Sequence, residues 1–187
     1  MRLFILPALA ILALGFVAAT PAKANLPGPL NAPATLGFSA GYFDVLPNNP
    51  RKKAVDFRLE YRSDYDMLSL ANGRNSWIEI RPMGGFETTT DGALYGFGGF
   101  VFDIPIGKHF VLSPNEAVGL WYNGNGKYLG SFVEFRSTVE VGYRFDDESR
   151  LDVAFGHISN AGLTSQNHGV EILSVYYHMP IQKIFGR

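Results

Sequence analysis

The 187-residue sequence has no cysteine, a formal net charge of −1, 14% aromatic residues and 21 glycines. This charge balance excludes the strongly basic surface of a nucleic-acid-binding protein, and the lack of cysteine excludes a disulfide-stabilised fold. The chain must therefore be held together by a packed core or by closure of a sheet.

The N-terminus predicts a secretory signal peptide over residues 1–24. Arg2 precedes an almost entirely apolar stretch from Leu3 to Ala19, and Ala22-Lys23-Ala24 has the small-x-small pattern of a cleavage site. An uncleaved anchor helix is the alternative, which the short stretch and Pro7 disfavour. Cleavage leaves 14 basic and 17 acidic residues. No later apolar stretch reaches the roughly 18 residues that a transmembrane helix needs.

Residues 25–34 form a Pro-rich lead-in, and the remainder, 35–187, predicts an all-β fold. Runs of alternating polar and apolar residues, separated by turn-like residues, indicate eight strands. They lie near 35–45, 53–64, 76–87, 93–104, 109–122, 131–145, 149–159 and 169–180. Each run is long enough to cross a bilayer when tilted. The prediction is an eight-stranded antiparallel transmembrane β-barrel, in which the stretch 65–76 is compatible with a short helix.

A soluble eight-stranded barrel or a β-sandwich would show the same alternation with its apolar face inward. Two features favour the membrane barrel. The sixth strand has an outer face that is apolar except for Ser137, and an opposite face formed by Glu134, Arg136, Thr138 and Glu140. Aromatic residues also collect near predicted strand ends, as interfacial girdles require; these are Trp121, Tyr122, Tyr143, Tyr176 and Tyr177.

Three polar residues interrupt the apolar face of the last two strands. Because side chains alternate across a strand, His157 and Ser159 share the face of Phe155, and Glu171 shares the face of Leu173. With both termini in the periplasm, the seventh strand ends and the eighth begins at the external side. The three side chains are therefore expected to face lipid at headgroup level, where a charge costs about 0–1 kcal/mol.

These three residue types can perform ester hydrolysis. A serine is a weak nucleophile until a base takes its proton, and His157 is the nearest base to Ser159. A carboxylate, here Glu171, can orient the imidazole. Asn160 and, less certainly, Asn167 offer amide donors for an oxyanion. The alternative is a polar cluster at the membrane interface that only satisfies its own hydrogen bonds.

At these residues the chain resembles the outer-membrane lipid A 3-O-deacylases of the PagL family. The resemblance is carried by His157-x-Ser159-Asn160-Ala161, Asn167 and Gly169-x-Glu171, and by the segment from Leu129 to Asp147. It implies a serine esterase in the outer membrane of a Gram-negative bacterium that removes the acyl chain at position 3 of lipid A. Ser159 would be the nucleophile, His157 the base and Glu171 the orienting acid.

The same resemblance assigns Asn160 and, less certainly, Asn167 to the oxyanion hole. It names lipopolysaccharide as the substrate and implies no metal, cofactor or nucleic acid, and a homodimer is left open. The other histidines, His109, His168 and His178, lack the spacing of metal ligands. The alternative function is a non-enzymatic small barrel for adhesion or envelope integrity, but its external loops, predicted to be short, favour the enzyme.

Overall fold

The computed structural model describes residues 32–46, 53–67 and 78–186, in which eight strands form one closed antiparallel barrel. The strands are β1 Thr35–Phe43, β2 Ala54–Arg62, β3 Glu79–Thr89, β4 Leu94–Ile106, β5 Phe110–Tyr122, β6 Val133–Arg144, β7 Arg150–Ser159 and β8 Val170–Pro180, and one helical turn, α1 Ile181–Phe185, follows. Each strand pairs with the next, and β8 pairs with β1. The predicted fold class is confirmed, and every strand lies within a few residues of its predicted position.

Two predictions concern residues outside the described ranges. The signal peptide at 1–24 is one of them, and it stays a prediction. The short helix considered within 65–76 is the other, since the described chain stops at Met67 and resumes at Ile78. Within the described ranges, no helix is long and apolar enough to span a membrane.

Strand alternation places charges inside the barrel and apolar side chains outside. In β6, Glu134, Arg136 and Glu140 are fully buried, whereas Val141 and Tyr143 on the other face are exposed. A soluble barrel requires the opposite arrangement, because its apolar residues must form the core. The inside-out pattern therefore excludes the soluble alternative and gives the barrel an apolar outer wall suited to lipid.

Ion pairs fill the middle of the lumen and its end opposite the loop between β7 and β8. The Arg62 guanidinium donates to both carboxylate oxygens of Glu140, at 2.7 and 2.8 Å, and to Glu60 at 2.7 Å. Arg136 donates to the other oxygen of Glu60 at 3.2 Å. A buried charge without a partner is strongly destabilising, so this network fixes which face of each strand turns inward.

An apolar cluster fills the lumen towards the end of the barrel where β7 meets β8. Phe43 stacks on Trp121 with 5.9 Å between ring centroids, and Ile158, Val170 and Ile172 pack in the same cluster. These last three residues alternate along β7 and β8 with His157, Ser159 and Glu171. The candidate catalytic strands therefore have a packed, rigid backing.

The prediction of an aromatic girdle is right for some residues and wrong for others. Tyr122, Tyr143 and Tyr177 are exposed on the outer face. Trp121 and Tyr176 are buried in the lumen instead, because neighbouring residues of a strand point to opposite faces.

The buried ion pairs of the lumen allow a prediction about the stability of the barrel to unfolding. We expect Arg62→Met to lower the free energy of unfolding by about 3–5 kcal/mol, since it removes one partner of a buried ion network. The measurement is urea unfolding in detergent micelles. The matched control is Lys108→Met, which breaks a pair with Asp146 whose side chains are 77% and 84% exposed. Equal unfolding midpoints for the two variants would contradict the role given to the network.

Candidate active site

His157 and Glu171 are directly opposite each other on β7 and β8. Their side chains project from the outer face, and His157 Nδ1 lies 3.2 Å from Glu171 Oε1. The two side chains are 41% and 25% exposed. The predicted contact between the acid and the base is therefore present, and it follows from strand register alone.

The contact with Glu171 determines the chemistry of the imidazole. A carboxylate oxygen accepts a hydrogen bond, so the contact favours the tautomer of His157 that carries its proton on Nδ1. In that tautomer Nε2 has a free lone pair. This is the tautomer in which a histidine acts as a general base.

Gly169 lies against the Nε2 edge of the ring. A Cβ atom at this position would be 2.8 Å from Cε1 and 3.4 Å from Nε2 of His157, and Gly169 has φ of +55°. Glycine alone adopts this backbone conformation readily and leaves room for the ring. Gly169 therefore sets how closely the loop after β7 approaches the imidazole.

Ser159 ends β7, on the same outer face as His157 and one pleat away. It is half-buried. Within the described residues, neither Ser159 Oγ nor His157 Nε2 has a hydrogen-bond partner. Catalytic hydrogen bonds are often long before substrate binds. The structure thus brings Glu171 and His157, the predicted acid and base, into contact and places Ser159 one pleat away without a serine–histidine bond.

Asn160 organises the loop 160–169 rather than facing the outer surface. Its side chain is buried, and Nδ2 lies within hydrogen-bond distance of Leu129 O, Thr164 Oγ1 and Gln166 O, at 3.2, 3.0 and 2.7 Å. Its Oδ1 accepts from the Gly162 N–H at 2.9 Å. The side-chain amide is therefore fully engaged within the fold, and sequence reasoning did not foresee this role.

Asn167 is placed differently. Its Oδ1 accepts a hydrogen bond from the Asn160 N–H at 3.2 Å, which orients the side chain and leaves Nδ2 with no partner among the described residues. Asn167 is exposed. Of the two predicted oxyanion donors, the geometry favours Asn167, the one that the sequence ranked second.

The other histidines lie away from this site. His178 faces the lumen beside Glu140 and Asp152, and one ligand atom of each lies within 4.8 Å of the others. Arg62 and Arg150 already bind these two carboxylates. The cluster is therefore part of the charge-balanced lumen. His109 stacks on Tyr143 at the opposite end of the barrel, with 5.1 Å between ring centroids, and His168 is exposed in the loop.

Strand register also brings Ser137 next to His157, on the side opposite Glu171. The hydroxyl of Ser137 donates to Glu116 Oε2 at 2.7 Å. In the sequence these residues are visible only as interruptions of an apolar face, and their proximity to His157 requires the register.

These features define a small β-barrel with a candidate hydrolytic site on its outer face. The family model described as lipid A 3-O-deacylase (PagL) matches residues 57–180, and the chain belongs to this family.

Two similar proteins bear on this assignment. The lipid A deacylase PagL of Pseudomonas aeruginosa is 38% identical over 53 residues, and this match covers 28% of the chain and 31% of the relative. The aligned segment thus spans under a third of that relative. A crystal structure of the outer membrane enzyme PagL superposes on this chain with a TM-score of 0.60 at 21% identity, over 78% of this chain and 99% of the other. The second likeness shows a shared fold.

The side-chain hydrogen bonds of Asn160 allow a prediction about the stability of the loop 160–169. We expect Asn160→Ala to raise amide hydrogen exchange at Gly162 and Leu163 by about tenfold or more, because the bonds lost with each buried polar group cost about 1–3 kcal/mol. Gln166→Ala is the control, since only the backbone carbonyl of Gln166 holds the loop. Unchanged exchange in Asn160→Ala would show that its side chain does not hold the loop.

Proposed function

We propose that this protein is a serine esterase of the bacterial outer membrane that hydrolyses the acyl ester at position 3 of lipid A. The observation that carries the proposal is the His157–Glu171 pair on the lipid-facing side of the barrel. Family membership supplies the reaction and the substrate class.

In the proposed reaction, Ser159 Oγ attacks the ester carbonyl carbon while His157 Nε2 takes its proton. Glu171 remains ionised and stabilises the imidazolium through Nδ1. His157 then returns the proton to the leaving sugar oxygen. Water hydrolyses the acyl-enzyme in a second round that uses the same base, and this frees the fatty acid.

The developing negative charge on the carbonyl oxygen needs hydrogen-bond donors. Asn167 Nδ2 is the side-chain donor that we assign to it, because no other group in the described chain occupies it. Asn160 acts through Asn167, since its backbone N–H holds the Asn167 side chain by Oδ1. Asn160 is thus a positioning residue in this mechanism.

The position of the site fits a substrate that never leaves the bilayer. Phe135, Phe155 and Leu173 flank the polar residues on the outer face, and all three are exposed. An acyl chain lying against this wall remains in an apolar environment. Its ester, at the headgroup level, then lies beside the serine.

We expect Ser159→Ala to abolish lipid A deacylation, with a loss of several orders of magnitude in rate, while the barrel still folds. The measurement is the mass spectrum of lipid A from cells that express each variant, with heat-modifiable gel mobility as the check on folding. Ser165→Ala, an exposed serine of the same loop, is the matched control. Unaltered lipid A in cells expressing a folded wild-type protein would favour a non-enzymatic barrel.

Gly169→Ala tests the geometry around the base. The new methyl group would displace the imidazole or the loop, and alanine is also strained at a φ of +55°. We expect kcat to fall by about a hundredfold, as a displacement near 1 Å in an active site can cause. Gly162→Ala is the control, because a Cβ there meets nothing within 4 Å and its φ of +83° carries a similar backbone strain. If both variants keep full activity, the contact between Gly169 and His157 has no catalytic importance.

A further inference from the structure

A polar row crosses the outer face of four neighbouring strands. Glu116 of β5 pairs with Ser137 of β6, Ser137 pairs with His157 of β7, and His157 pairs with Glu171 of β8. On the outer faces of the described strands, Glu116, His157 and Glu171 are the only acidic, basic or histidine side chains. The proposed mechanism uses His157 and Glu171, and it gives no role to Glu116 and Ser137.

The two unused residues lie deeper along the barrel than the catalytic pair. The row descends in the order Glu171, His157, Ser137 and Glu116, which lie one, two, four and six residues from the external ends of their strands. Glu116 has Pro114 and Val118 on either side along β5, and Phe100 opposite it on β4. A carboxylate at such a position on a lipid-facing wall is unfavourable, and polar residues within the membrane mark functional sites.

The hydrogen bond between these two residues restricts what they can recognise. The Ser137 hydroxyl donates its only proton to Glu116 Oε2, at 2.7 Å. The Ser137 oxygen therefore offers only its lone pairs to a ligand, and its complement is a hydrogen-bond donor in an otherwise apolar setting.

The location indicates which part of the substrate meets this acceptor. Ser159 is opposite Phe135, which is two residues before Ser137, so Ser159 and Ser137 are diagonal neighbours about 7–8 Å apart. A hydroxyl group a few bonds away from the ester carbonyl carbon can reach Ser137 while the carbonyl carbon lies at Ser159. Since Ser137 lies on the membrane side of His157, the hydroxyl belongs to the acyl chain rather than to the sugar, which remains at headgroup level.

We propose that Glu116 and Ser137 form a subsite that accepts a hydrogen bond from a hydroxyl group on the acyl chain, and so selects hydroxylated chains. This inference rests on the proposed esterase function and adds a determinant of its specificity. An acyl chain without the hydroxyl leaves this acceptor unsatisfied against the apolar wall, and sites built to bind a hydroxyl discriminate strongly against analogues that lack it.

The test uses the full chain in detergent micelles and two glucosamine esters that differ only in a hydroxyl at the third carbon of the acyl chain. We expect wild type to show a kcat/KM about tenfold or more higher for the hydroxylated ester, the effect of one net hydrogen bond. Ser137→Ala and Glu116→Ala should bring this ratio towards one. The double variant should lower this ratio no more than either single variant does, because the two residues act as a unit.

Two further variants separate recognition from structure. Ser137→Thr keeps the hydroxyl and suits a strand, so it should restore the preference. Thr88→Ala removes an exposed hydroxyl from the outer face of β3, away from the row, and should leave the ratio at the wild-type value.

Three results would overturn the inference. Equal hydrolysis of both esters by wild type would refute the subsite and leave the esterase function standing. An equal loss on both esters in Ser137→Ala would mean a structural or general catalytic role. Hydrolysis of neither ester by folded wild type would refute the proposed function, and the subsite with it.

Discussion

The pairing of buried charges inside the barrel determines which face of every strand meets lipid. Arg62 alone joins Glu60 of its own strand to Glu140 on the far side of the lumen. Once these partners are inside, period-two alternation requires the intervening side chains to point outward. Burial of the charges therefore also decides that His157 and Glu171 point outward from β7 and β8, whatever contacts these two side chains make.

Closure of the sheet supplies the second requirement of the site. Because β8 is held by β1 on one side and by β7 on the other, Glu171 cannot slip relative to His157 without breaking two ladders. A one-residue slip would also turn its side chain into the lumen. The apolar cluster behind the strands, with Ile158 and Ile172, adds packing to this restraint. The sheet itself thus holds the candidate catalytic groups in place on the outer surface.

Alternation and turn residues were enough to predict the eight strands, the orientation of the sixth strand and the outward direction of the three candidate catalytic side chains. These features are local, since each depends on the period of a single strand. The pair formed by Glu116 and Ser137 could not be predicted, because it requires the register between strands that are joined by turns of uncertain length. The role of Asn160 was missed for a similar reason: its partners Leu129 and Gln166 come from two different loops.

Trp121 shows a different kind of error. Its closeness to a strand end suggested a girdle residue, but parity along β5 places it in the lumen against Phe43. In β5, Glu116 shares its face with Leu120 and Tyr122, and a carboxylate on that face conflicts with the rule that outer faces are apolar, so alternation alone could not decide which face of β5 turns outward. Departures from local rules are expected at functional sites, and here Glu116 lies in the same outward-facing row as the candidate catalytic pair.

In the proposed mechanism, Ser159 is an activated nucleophile on the lipid-facing surface. This is tested most directly by incubating the protein in micelles with a fluorophosphonate that carries a long alkyl chain, and by mapping the adduct by peptide mass spectrometry. We expect one adduct, on Ser159, formed much more slowly when Glu171→Gln removes the charge that orients His157. An adduct on Ser137 or Ser165 instead, or no adduct on folded protein, would contradict it.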